Sequence, residues 1–166
     1  RWVVPTEDGG TMEAKNHTGH VAISNGMLTV EGDDVTGSFS IDMSTITVTD
    51  LDGDKKEGLE NHLKGLREGS EDHFFRINEF STVDVKITEI KDGMAHLVLS
   101  VLGMELEQKV AVHAHAEGEN MKLHGNFTVD FSALNMPMTT PDPEKPEEGN
   151  VSPEIEFDLD VTLKKA

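Results

Sequence analysis

Glu154-Ile155-Glu156-Phe157-Asp158-Leu159-Asp160-Val161-Thr162-Leu163-Lys164 decides the fold. Ile155, Phe157, Leu159, Val161 and Leu163 share one parity, and Val151 continues it upstream. Glu154, Glu156, Asp158, Asp160, Thr162 and Lys164 take the other. Successive side chains of a strand point to opposite faces, so this alternation describes a β-strand with one dry and one wet face.

The same period recurs on working back along the chain. Met121, Leu123, Gly125, Phe127, Val129 and Phe131 form an apolar face whose alternates are Lys122, His124, Asn126, Thr128 and Asp130. Met104, Leu106, Val110, Val112, Ala114 and Ala116 form another. In Val35, Gly37, Phe39, Ile41 and Met43 the phase holds, then shifts to Ile46 and Val48, which reads as a bulge near Ser44 and Thr45. Further strands are expected at Val21–Ile23, Met27–Glu31, Thr82–Ile90 and Met94–Leu102, with a weaker one at Arg1–Val4. Asn25-Gly26, Gly32-Asp33, Asp92-Gly93, Gly103 and Gly118 supply turns between them. About eight or nine antiparallel strands, each dry on one face, describe an all-β barrel or sandwich.

One segment breaks the rhythm. Leu59, Leu63 and Leu66 fall on one helical stripe, predicting a short amphipathic helix over Lys55–Arg67 stopped by Gly69. Ser70-Glu71-Asp72 is placed to cap one more helical turn into His73-Phe74-Phe75. Pro137, Pro141, Pro143 and Pro146 make Met136–Asn150 a long loop. No internal repeat or linker divides the chain, so its 166 residues are expected to form a single domain.

Composition narrows function. Thirty-two Asp and Glu against 14 Lys and Arg give a formal charge of −18, which opposes binding to nucleic acid or to an anionic membrane surface. No run reaches the ~20 apolar residues of a membrane-spanning helix. Cysteine is absent, which removes disulfides, thiolate metal sites and Cys nucleophiles. The sequence lacks the G-x-S-x-G, phosphate-loop and H-E-x-x-H signatures, so no catalytic residue is assigned.

Two constellations invite a metal, and neither earns an assignment. Asp50, Asp52 and Asp54 match the first oxygens of a calcium loop, but Lys55 stands where glycine is needed and Asn61 where the closing Glu belongs. His113 and His115 lie on one side of a strand, with His96 and His124 as cross-sheet neighbours, on the outer face. His17 and His20 lack a third ligand in sequence.

The expected barrel interior carries almost no ionisable group. Small residues at Gly37, Ala114, Ala116 and Gly125 read as leaving room there. A barrel of about eight strands is either packed solid or just wide enough for one small ligand, and the pattern alone leaves both open.

The order of several motifs resembles the YceI-like, lipocalin-like proteins, in particular those of Bacteroidetes. Trp2-Val3-Val4 takes the early W-x-V place. Gly37-Ser38-Phe39-Ser40-Ile41-Asp42-Met43-Ser44-Thr45-Ile46 resembles the G-x-F-x-I-D-M-x-S-I strand, followed by Thr47-Val48-Thr49-Asp50-Leu51. His62-Leu63 with Phe74-Phe75 resembles H-L-x-S-x-D-F-F, and Phe80 to Thr88 resembles F-P-T-A-x-F-K-I-T. Gly125-Asn126-Phe127-Thr128-Val129-Asp130 matches the late strand. About five or six residues around Gly65–Gly69 are extra, and Phe131 stands where many relatives are basic.

The resemblance implies a lipocalin-like, up-and-down barrel of about eight strands with a short helix over one end. It also implies a polyisoprenoid or other lipid chain held in an apolar tunnel without catalysis or cofactor, and an exported, commonly periplasmic protein. A chain that opens on Arg1 suits a removed signal segment, and equally a trimmed end. The expected lining is Phe39, Ile41, Val112, Ala114, Leu123, Phe127, Val129, Phe157 and Leu159, with Phe74 and Phe75 plugging the helix end. The expected partner is therefore an apolar small molecule, and a homodimer is left open. The alternatives are a solid-cored structural or interaction module, and metal binding by the surface histidines.

Overall fold

The computed structural model describes residues 3–5, 11–13, 16–139 and 151–166. Two short strands, β1 (Val3–Pro5) and β2 (Thr11–Glu13), pair with each other. The body is one eight-stranded sheet of β3 (Gly19–Glu31), β4 (Asp34–Val48), β5 (Thr82–Lys91), β6 (Met94–Val101), β7 (Met104–Ala111), β8 (His113–Glu117), β9 (Asn120–Asp130) and β10 (Glu154–Lys165). One helix, α1 (Gly53–Leu63), sits between β4 and β5 and packs on β4. Trp2 and residues 140–150 of the proline-rich loop lie outside the described residues; Pro137–Thr139 forms a single 3-10 turn.

The sheet order is β7-β6-β5-β4-β3-β10-β9-β8. Its two ends are consecutive in the chain. Only Val112 separates β7 from β8, and its N–H donates to the Gly93 carbonyl (2.9 Å). The expected single strand from Met104 to Ala116 is thus bent at Val112, pairing with β6 before the bend and with β9 after it. The sheet wraps round at this corner without a closing ladder.

Every ladder in this sheet is antiparallel except one. β3 and β10 run parallel and share two register pairs, Met27 with Lys164 and Leu28 with Lys165. The Ala166 N–H donates to the Leu28 carbonyl (2.7 Å) and fastens that end. The up-and-down pattern therefore has a short parallel seam.

β3 differs from expectation. Asn25-Gly26 is not a turn between two strands but a bulge inside one, where the register with β4 slips between Ser24 and Met27. A bulge absorbs an extra residue while the ladder continues on both sides. The bulge expected near Ser44 and Thr45 is present: β4 advances from Asp42 to Thr47 while β3 advances from Ala22 back to His20. Thr45 Oγ1 accepts the Ala22 N–H there (2.7 Å), which satisfies that donor within the slip.

α1 ends earlier than the leucine stripe suggests. Gly65 adopts φ +69°, the Leu66 N–H donates to Asn61 (2.8 Å) and the Gly65 N–H to His62 (3.2 Å), an αL termination of the Schellman type. A Cβ at Gly65 would lie 2.5 Å from the Glu71 carbonyl oxygen, so both conformation and space demand glycine. Leu66 therefore falls beyond the helix and is exposed. The expected further helical turn at Ser70 is a bend closed by His73 N–H donating to Ser70 (3.3 Å).

The inner face forms one apolar core centred on Ile87, Val129, Leu163, Leu123, Val101 and Leu28. Among the described residues, no polar or charged residue is buried.

Candidate functional site

The rows of the inner face fix where the expected lining lies. Phe39, Val85, Leu99 and Leu106 are successive ladder partners across β4–β7, and all are buried. On the opposite wall, Leu159 pairs with Gly125, Phe157 with Phe127 and Ile155 with Val129. Phe39, Val112, Leu123, Val129 and Leu159 are core residues in full contact with neighbours. Ile41, Phe127 and Phe157 are half-buried and pack on that core from its edge.

Ala114 departs from expectation. It pairs with Leu123 and so points to the same side, yet it is exposed, as is Ala116. β8 is the last strand of the sheet, with β9 on one side only, and its residues His113–Glu117 are all exposed.

Gly37 and Gly125 do not leave room. A Cβ on Gly37 would lie 2.6 Å from the Met27 carbonyl oxygen, with the Leu28 and Ile87 methyls at 3.4 and 3.5 Å. On Gly125 it would lie 2.7 Å from the Ala111 carbonyl oxygen and 3.2 Å from Val112 Cγ1. Each glycine permits a close approach of backbone and side chain, and the corner at Val112 is the reason for the second.

A row of aromatic rings joins the helix end to the interior. Phe75 meets Phe131 edge-on (6.3 Å between centroids), Phe131 meets Phe157 (6.2 Å) and Phe157 meets Phe127 (6.1 Å). These separations suit edge-to-face and tilted ring contacts. Phe74 is buried but stands outside the main core, its ring 5.1 Å from His62. Phe131, which completes the alternation from Met121, joins the lining through this row.

α1 is bonded both to β4 and to the segment that follows it. The Val48 N–H donates to Glu60 Oε1 (2.8 Å), and the Phe75 and Ile77 N–H groups donate to Leu63 and Lys64 at the end of α1 (3.1 Å each). His62 Nε2 and His73 Nδ1 lie 2.9 Å apart, a contact that no spacing in the sequence signals. Burial, then His73 and Arg67, push the His62 imidazole below its usual acidity range.

Two of the expected metal candidates, His17 and Asp50, hold a structural contact. His17 bonds Asp50 Oδ2 (2.9 Å) and the Thr18 N–H donates to Oδ1 (3.1 Å), tying the start of β3 to the loop after β4. The His17 bond leads the causes that hold Asp50 below the ordinary carboxylate range. His113 faces His124 across β8 and β9 on the exposed side. Among the described residues no three His, Asp or Glu side chains converge as a metal would require.

Two open grooves mark the surface. One, of about 820 Å³, follows the β3–β10 seam and is lined by Val21, Ile23, Gly26, Met27, Val161 and Thr162 among others. The other, of about 850 Å³, lies on the outer face of β4 and β5 around Ser38, Ser40, Asp84 and Lys86. No described helix is long and apolar enough to cross a membrane.

The sequence matches the YceI-like domain over residues 6–163. No curated protein matches it. Its fold is similar to that of the Campylobacter jejuni YCEI protein, at 11% identity over 93% of this chain and 88% of that one, with a TM-score of 0.64. Burkholderia cenocepacia BcnA is similar at 14% identity over 86% and 84%, with a TM-score of 0.60. So is a polyisoprenoid binding domain from Saccharophagus degradans implicated in plant cell wall breakdown, at 9% identity over 78% and 76%, with a TM-score of 0.55.

Proposed function

This chain belongs to the YceI-like family, and from that premise we propose that it is a non-enzymatic carrier for a long apolar chain, isoprenoid or lipid. The observation that carries this reading is the chemistry of the interior: every buried side chain among the described residues is apolar. Such a lining offers a guest dispersion and release of water, with no anchor for a head group. The polyisoprenoid binding of the Saccharophagus degradans domain supports the same ligand class.

The guest lies against the half-buried side chains of Ile41, Phe127, Phe157 and Ile155, which pack on the core from its edge. Phe39, Leu123, Val129 and Leu159 form the fixed wall behind them. Phe75 and Phe131 close the helix end. The protein works outside the cytoplasm, in the periplasm or beyond it, where a chain insoluble in water needs a carrier.

Each CH₂ buried contributes roughly 0.8 kcal/mol, about a fourfold gain in affinity. The test is a homologous series of isoprenoid alcohols of increasing length titrated against the lipid-free protein. Affinity is expected to climb steeply with length until the barrel is filled, with little change on swapping the head group. Absence of binding across the series, with no lipid on the protein in native mass spectra, overturns the carrier and leaves a solid-cored module.

A further inference from the structure

We propose that the His62–His73 pair is an acid-released latch on the segment that carries Phe74 and Phe75, so that guest exchange accelerates as the pH falls through about 6. This rests on the carrier reading above, and it adds a control of the same site.

The latch joins two elements. His62 lies in the last turn of α1, and His73 lies in the irregular segment that leads to β5. Their nitrogens are 2.9 Å apart and their ring planes are inclined at 54°. The Phe74 ring stands nearly perpendicular to His62, and Phe75 follows at the head of the aromatic row. The backbone of this segment is held to α1 through the amides of Leu66, Phe75 and Ile77. Among the described contacts between α1 and this segment, the His62–His73 bond is the one that joins two titratable side chains.

A hydrogen bond between two imidazoles needs a donor nitrogen and a bare acceptor nitrogen. It survives one added proton, which can sit on the far nitrogen of the donor ring. It cannot survive a second, because that proton must occupy the accepting nitrogen itself. Two like charges would then also face each other across the contact.

The charged groups beside the pair are Glu71 and Arg67; burial, then His73 and Arg67, oppose a charge on His62. In the closed latch the His62 imidazole is held below its ordinary acidity range. Separation of the rings frees it. The sign follows from linkage: the open form binds more protons, so the closed form is favoured above pH ~6.5 and loses ground as pH falls below it.

The experiment uses the full chain, wild type and the double variant His62→Gln, His73→Asn, whose amides keep a neutral contact. Retinol serves as the guest because its alcohol does not titrate. Its transfer to excess phosphatidylcholine vesicles is followed by stopped flow at pH 7.5 and 5.0. The rate is expected to rise at least tenfold on acidification in the wild type and to stay within twofold in the variant. An equal pH response in both proteins, or none in the wild type, overturns the latch and leaves the carrier standing.

A second readout needs no guest. The hydrogen-exchange protection factors of the Phe75 and Ile77 amides are expected to drop at least tenfold between pH 7.5 and 5.0 in the wild type only. Protection that persists in the wild type overturns the latch, even if retinol binds. If retinol fails to bind while this protection falls, the carrier reading fails and the latch remains.

Discussion

The β5–β6 wall and the β3–β10 seam carry the same alternating pattern and end in different states. On the wall, Val83, Val85, Ile87, Ala95, Leu97, Leu99 and Val101 are all 0–7% exposed. Along β3 and β10, Leu28, Leu159, Val161 and Leu163 are buried, but Ile23, Ile155 and Phe157 are only half-buried. The difference lies in the neighbours. β5 and β6 each have an antiparallel partner along both edges, while β3 and β10 meet in two register pairs before they diverge. Alternation in a strand states which face turns inward. How completely that face is covered is decided by the strand beside it, which the sequence does not name.

The largest expected contrast is in stability. Ile87→Ala removes a side chain with no exposure and opens a void among Leu28, Leu97 and their neighbours, so a cost of about 2–5 kcal/mol is expected. Ile23→Ala takes away a half-buried side chain beside an open groove and is expected to cost less than about 1.5 kcal/mol. Urea unfolding of both variants measures the difference. Equal losses would mean that the seam is packed as tightly as the wall.

A smaller contrast sharpens the corner where the sheet wraps. Val112 is 4% exposed and lies against Gly125, so Val112→Trp overpacks it at a cost of about 1–3 kcal/mol. Ala114, two residues on, is exposed, and Ala114→Trp is expected to stay within about 0.5 kcal/mol of the wild type. Thermal melts of the pair check this. If Ala114→Trp were the costlier, the inner face of β8 would be covered after all.

Much of this organisation is legible in the sequence. The strands β5, β6, β9 and β10 are given by their parity, and the β4 bulge by the change of phase at Ser44 and Thr45. The apolar interior follows from the same counting, and the family from the ordered motifs between Gly37 and Asp130. The failures have physical causes. Gly37 and Gly125 read as empty space because a missing side chain says nothing about what moves in; here a backbone carbonyl does. Asn25-Gly26 has turn chemistry, yet the strand continues through it as a bulge. Leu66 fits a helical stripe, but Gly65 in the αL conformation ends the helix before it. Ala114 keeps the parity of the inner face while the strand order leaves it uncovered. The His62–His73 contact joins a helix to an irregular segment, and no periodicity relates them.

The smallest effect tests the outer surfaces of the same two regions. On β5 and β6 the outward residues are mixed: Asp84, Lys86 and Thr88 face Ser100, Val98 and His96, with His96 3.9 Å from Glu89. On β10 they are Glu154, Glu156, Asp158 and Asp160 in a row, with Asp130 directly opposite Glu154. The exposed imidazole of His124 lies 3.8 Å from Asp158. Like charges along and across strands repel and oppose the compact state. Added salt shortens their reach from ~10 Å at 0.1 M to ~3 Å at 1 M. A melting temperature followed from 0.05 to 2 M KCl is therefore expected to rise. A relief of about 1 kcal/mol corresponds to about 2–4 °C in a domain of this size. The variant Glu154→Gln, Glu156→Gln, Asp158→Asn is expected to start higher and respond less, because the repulsion it removes is the repulsion that salt would screen. The same number of neutralising changes on the mixed wall, Asp84→Asn and Glu89→Gln with Lys86→Gln, is expected to leave the slope as it was. A flat or falling wild-type curve would show that the acidic row of β10 does not limit stability, and that the seam is weaker than the wall through its pairing alone.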